Sequence, residues 1–138
     1  MKKLPILLLV LVVIVSCKKN SCTTSVASIS GAYKFSAYTY KANASAPEQD
    51  YFNIILSDPC ERDDIITLNS SGTYDYKDAG VVCAPSGDSN GTWSLSGASI
   101  TIDGTIATIQ SFDCKSLIIL NSDVMTAGDQ LKITLTKQ

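Results

Sequence analysis

A cysteine stands at each foot of what reads as a single β-hairpin, and this pairing constrains the chain more than any other feature. Between Cys60 and Cys83, the residues Asp64, Ile66 and Leu68 and then Tyr74 and Tyr76 alternate with polar neighbours, the period of a half-buried strand. Asn69-Ser70-Ser71-Gly72 supplies the turn. If Asn69 faces Gly72, antiparallel partners have position numbers that total about 141, so Cys60 falls opposite a residue within about two positions of Cys83. A disulfide can bridge the two feet. It gives the domain a top, the cysteine end, and a bottom, the turn end.

The 138 residues have room for one domain with a real core, but the first sixteen read as an address. Met1-Lys2-Lys3 is a basic start, and Leu4 to Val15 is an apolar run too short for a bilayer core of ~30 Å. This is the pattern of a signal peptide over residues 1–16. It ends in Leu11-Val12-Val13-Ile14-Val15-Ser16-Cys17, which resembles the lipobox of bacterial lipoproteins. That resemblance implies acylation at Cys17 and a protein lipid-anchored to the bacterial envelope, at the outer membrane, on its periplasmic side or at the cell surface. Several acyl chains on one cysteine anchor stably, because each buried methylene contributes about 0.8 kcal/mol.

Cleavage after Ser16 removes Lys2 and Lys3 and leaves nine basic against thirteen acidic residues, a net charge of −4. Such a balance argues against nucleic acid as a partner. Lys18 and Lys19 sit beside the acylated end, whereas Glu48, Asp50, Asp58, Glu61, Asp63 and Asp64 crowd a later region. With Cys17 taken by lipid, Cys22, Cys60, Cys83 and Cys114 remain. An even number in an exported domain suggests two disulfides, and the absence of any C-x-x-C pair argues against a thiolate metal site.

Residues 17–30 read as a lipidated polar tether without periodicity, and 31–138 as the folded domain. Tyr33 and Phe35 alternate with Lys34 and Ser36, and Tyr38 to Tyr40 extend that strand. Residues 42–62 form a long loop carrying the apolar patch Tyr51 to Leu56, either an edge strand or a short helical turn. After the cysteine hairpin, alternating strands follow at Gly91 to Ser96, Ala98 to Asp103, Thr105 to Phe112, Leu117 to Leu120 and Leu131 to Leu135. Asp103-Gly104 is the strongest hairpin dipeptide. No segment reads as a helix of any length.

Eight strands joined by tight turns form a meander, and an up-and-down barrel would remove both free edges; a β-sandwich of the same strands is the alternative. The chain resembles the lipocalin-like domain found on many bacterial lipoproteins. The residues that carry the resemblance are Gly31-Ala32-Tyr33, Cys60-Glu61-Arg62-Asp63-Asp64 with the turn to Gly72-Thr73-Tyr74, Cys83, and Gly91-Thr92-Trp93-Ser94-Leu95. It implies an all-β, eight-stranded antiparallel barrel, with Tyr33 standing where true lipocalins carry Trp in their G-x-W motif. In that barrel order Cys60 and Cys83 lie at the top and Cys22 and Cys114 at the bottom, so Cys60–Cys83 with Cys22–Cys114 is the connectivity that avoids crossing the barrel. Five residues from Cys17 to Cys22 reach under about 20 Å, which would hold the bottom near the membrane.

The chain has no histidine, which removes histidine-based catalysis and most zinc, copper and haem sites. No cofactor motif is present. Asp58, Glu61, Asp63 and Asp64 have no EF-hand spacing and read as a solvated rim. Tyr33, Phe35, Tyr74, Tyr76 and Trp93 fall on inward faces, where they either fill a small barrel or, with Leu68 and with Phe52 from the upper loop, line a site for one small apolar molecule. The sequence therefore points to a non-catalytic binding protein. The alternatives are a module that contacts an envelope protein or inhibits an enzyme through its upper loops, and a spacer in an envelope assembly.

Overall fold

Short, alternating segments with glycine-containing turns pair each with the next in sequence, and the computed structural model, which describes residues 22–138, follows that logic. The expected signal peptide and Cys17 lie outside the described residues. The strands are β1 (Gly31–Lys41), β2 (Gln49–Asp50), β3 (Ile65–Leu68), β4 (Thr73–Lys77), β5 (Ser89–Ser96), β6 (Ser99–Ile102), β7 (Thr105–Phe112), β8 (Ser116–Ser122) and β9 (Gln130–Lys137). All ladders are antiparallel and run in chain order from β3 to β9; β1 pairs with β3 on one side and β9 on the other, which closes an eight-stranded barrel. The two-residue β2 pairs with the upper end of β1 through Thr39 and Tyr40. Closure excludes the sandwich, and the cysteine hairpin pairs Leu68 with Tyr74 and Ile65 with Lys77, one position from the expected register.

Two bulges explain the change of phase along the longest strands. Phe35 faces Leu135 while Ala37 faces Thr134, so Ser36 is an extra, exposed residue on β1. Inward positions are therefore Tyr33 and Phe35 below the bulge and Tyr38 and Tyr40 above it. On β7, Gln110 is extra between Ile109 and Ser111, and the inward set moves from Ala107 and Ile109 to Phe112. Bulges bend and twist a strand locally, and a small closed barrel needs that curvature.

The bottom is plugged, in departure from the expected tether over 17–30 and from the expectation of no helix. Residues 22–30 pack on the barrel through a four-residue helix α1 (Val26–Ile29), with Ser25 and Ser28 capping each other's backbone N–H. Ile29 is fully buried beneath Tyr33, whose hydroxyl donates to the Ile29 carbonyl at 2.5 Å. Lys137 donates to the Ser28 carbonyl at 2.8 Å and lies over the Tyr33 ring. The Cys22–Cys114 disulfide fastens this segment to the β7–β8 turn. One buried aliphatic side chain in a short Ser/Thr-rich run, with the neighbouring Val26 half-exposed, produces no periodicity, so the sequence pattern passes over it.

At the top, the 42–62 loop contains both structures the sequence left open. After β2 come α2 (Phe52–Ile55) and a 3₁₀ turn over Pro59–Asp63. The Cys60–Cys83 disulfide joins this loop to the β4–β5 loop. Three buried carboxylates then satisfy loop N–H groups that strands cannot pair. Asp64 accepts from Tyr76 and Ala79, Asp78 from Cys83 and Gly87, and Asp129 from Val124, Met125, Thr126 and the Tyr40 hydroxyl.

Candidate functional site: an apolar cavity inside the barrel

Above the plug the inward side chains do not fill the space. A cavity of about 410 Å³ remains, within the range of small-molecule sites. Its lower wall is Phe35, Leu68, Ile100 and Leu135, and its middle is formed by Ile66, Ala107, Ile119 and Ile133. Tyr38 and the upper residues Ile102, Asp103, Thr105 and Asn121 complete it. The β6–β7 turn is only two residues long, with Asp103 and Gly104 both at positive φ. This low point in the rim is where the cavity reaches the top of the barrel.

The opposite side is roofed. Tyr38, Tyr40, Leu56 and Leu131 form a second buried cluster, against which Tyr51, Phe52 and Ile55 of the upper loop pack. Phe52 lies 6.2 Å from Tyr38 between ring centroids, and Tyr51 lies 4.8 Å from Tyr40. Phe35 and Ile133 belong to both this cluster and the cavity wall, so the roof and the pocket are one continuous apolar body.

The candidate residues of the sequence separate into three groups. Phe35 and Leu68 line the cavity. Tyr33 and Trp93 are buried in the core with α1, and the Trp93 indole donates to the Asn69 carbonyl of the lower turn at 2.8 Å. Tyr74 and Tyr76 face inward against the core, while Phe52 belongs to the roof. The tyrosine hydroxyls are already committed: Tyr74 donates to Asp103 and Tyr76 to Asp64. They are not free polar contacts for a guest.

Local packing explains how Tyr74 reaches Asp103. Its cross-strand partner is Gly91, and a Cβ there would stand 2.6 Å from the Tyr74 ring. Asp103 also accepts from the Thr92 N–H at 2.9 Å. The Tyr74 hydroxyl, followed by that N–H, holds the Asp103 carboxyl below the usual carboxylate range, so it is ionised at neutral pH. Burial, with smaller contributions from Tyr76 and Glu61, pushes the Tyr38 hydroxyl well above its ordinary value.

Asn121 carries a signal that attention to aromatic residues misses. Along β8 the inward positions read Leu117, Ile119, Asn121, so a polar group occupies an apolar phase. Its Oδ1 is buried and has no hydrogen-bond partner, an expensive state for an amide oxygen. The acidic residues of the 58–64 stretch, by contrast, serve the loop itself: Glu61 accepts from the Asp58 N–H, Asp63 from the Val81 N–H, and Asp64 as described above. Among the described residues no three His, Cys, Asp or Glu side chains converge as a metal site would require.

Closed antiparallel ladders, a plugged bottom and an apolar interior define an up-and-down β-barrel. The chain belongs to the lipocalin-like domain family, whose family model matches residues 29–126. That match begins at Ile29 in the plug and stops before β9, the strand that completes the barrel. Lipocalin-like domains are generally not enzymes. No curated protein matches the chain.

Proposed function

We propose that this protein is a lipid-anchored, non-catalytic lipoprotein of the bacterial envelope that holds one small apolar or amphipathic molecule inside its barrel. The observation that carries the proposal is the cavity of about 410 Å³, apolar along its walls and polar at its upper edge. Guests bury most of their surface in such sites and are oriented by a few polar groups. The lipobox-like run ending at Cys17 supports the anchor, and the Cys22–Cys114 bond, five residues further on in sequence, supports an orientation with the plugged end toward the bilayer. The mouth then faces away from the bilayer, toward the periplasm or, on a surface-exposed protein, the exterior.

Native mass spectrometry of the domain from Lys18 onward, purified from the periplasm, tests the cavity. A retained adduct that is lost in Ala107→Phe, which fills the middle of the cavity, supports the proposal; a bare mass in both proteins counts against a tightly held guest. Incorporation of labelled palmitate into the full chain, abolished by Cys17→Ser, tests the anchor.

A second reading, contact with an envelope protein, is supported by the exposed apolar side chains of three upper loops, Ile54, Val81, Val82 and Met125. Single exposed hydrophobes are ordinary, but several on neighbouring loops are a feature of contact surfaces. Under this reading Val81→Asp with Val82→Asp disrupts a complex that Ala107→Phe leaves intact.

A further inference from the structure

The polar groups of the cavity discriminate between classes of amphipath. Lys and Arg are absent from its lining, and its single charged side chain is Asp103, an ionised carboxylate whose two oxygens are occupied by Tyr74 and Thr92. A carboxylate, sulfate or phosphate head group drawn into this space meets no counter-charge, loses hydration, and faces a like charge at the mouth. A cationic head finds Asp103 at the exposed rim, where water screens the attraction. Among the described residues, the interior polar groups of the cavity wall are the Asn121 amide, whose Oδ1 has no hydrogen-bond partner, and the Tyr38 hydroxyl. Thr105 stands beside Asp103 at the same upper edge.

Resting on the ligand-binding reading above, we infer that the guest is an uncharged amphipath, an alcohol or amide on a single aliphatic chain, with its polar head bonded to Asn121 and its chain directed down toward Leu68, Ile100 and Leu135. The amide of Asn121 suits such a head in either orientation, because it can accept from a hydroxyl or donate to a carbonyl. Size agrees: about 410 Å³ equals the liquid volume of roughly fourteen waters, enough for a chain of about ten carbons with a small head. Fatty acids in their ionised form are excluded by the same features.

The test uses a matched set, 1-decanol, decanamide, decanoate and decylammonium, titrated at neutral pH against the purified domain carrying a fluorescent apolar probe in the cavity. The two uncharged compounds are expected to displace the probe at least about tenfold more effectively than either ion. Asn121→Leu, similar in shape and checked for folding by its thermal melt, is expected to reduce that preference for decanol by about tenfold. Decanoate or decylammonium binding as well as decanol would overturn the inference while leaving the cavity reading intact, as would an Asn121→Leu protein with unchanged preference. Failure of the native protein to bind the probe or any of the four compounds would overturn both.

Discussion

Removing the bond between Cys22 and Cys114 is expected to cost more stability than removing that between Cys60 and Cys83, and both costs can be worked from chain length. A cross-link lowers the entropy of the unfolded chain by about 2.1 + 1.5R ln n cal/mol/K for a loop of n residues. The bonds span 92 and 23 residues, which corresponds to about 4.6 and about 3.4 kcal/mol at 25 °C. They are nested, however. With Cys60–Cys83 intact the path from Cys22 to Cys114 bypasses the hairpin and shortens to about 69 residues, lowering the larger figure to about 4.4 kcal/mol. Packing widens the gap in the same direction, because Cys22 lies against the main core. The Cys22→Ser/Cys114→Ser protein should therefore melt lowest, by about 18 °C or more against about 14 °C for Cys60→Ser/Cys83→Ser, at about 4 °C per kcal/mol for a domain of this size. Urea unfolding followed by the buried Trp93 gives the free energies directly. If the upper variant proves the less stable of the two, loop length and plug packing are not what the bonds contribute.

Three further outcomes are expected. Ile29→Ala should cost about 2–5 kcal/mol, as a fully buried aliphatic truncation does, whereas the half-exposed Val26 tolerates Ala within about 0.5 kcal/mol; equal small losses in denaturant unfolding would mean that the plug is not held. Gly91→Ala sets a methyl against the Tyr74 ring and should destabilise by about 1–3 kcal/mol in thermal melts, so a variant as stable as the native protein contradicts the close approach. In alkali, burial pushes the Tyr33 hydroxyl up to about 12, and burial with the Asp64 hydrogen bond raises Tyr76 as well. Unfolded tyrosines ionise near 10, so the stability these groups contribute is full below pH 10 and is lost as pH rises through their folded values. Phenolate absorbance from all six tyrosines near pH 10 in the folded protein would refute this.

Strand positions and turns were legible because the barrel has one wet and one dry face, which imprints a period of two on Ile66 and Leu68 or on Ile133 and Leu135. The cysteine pairs followed once the ends were assigned. Ile29 was not legible, because its burial comes from contact with Tyr33 and not from any repeat around it. The bulges at Ser36 and Gln110 hid the inward phase of Tyr38, Tyr40 and Phe112, since one extra residue reverses every later side chain. The cavity itself is a difference between enclosed volume and side-chain volume. Residue identity suggests what could line it, and Phe35 and Leu68 do, but the unpartnered amide oxygen belongs to Asn121, which composition gives no reason to single out.

The β1–β9 seam also sets an order in time. In every other ladder of the barrel the partners lie at most 37 residues apart, the widest step being Gly31 with Leu68, whereas Tyr33 pairs with Lys137 and Lys41 with Gln130. β1 is made first among the strands and its last partner is made at the end. At about 5–20 residues per second, the roughly one hundred intervening residues take on the order of 5–20 s to synthesise. Throughout that interval β1 keeps an unpaired edge, the kind of edge that recruits other chains. Cys22 waits for Cys114 over most of the same interval, and because Cys114 precedes β8 and β9, that disulfide can fasten the plug while the two strands that close the barrel are still to come.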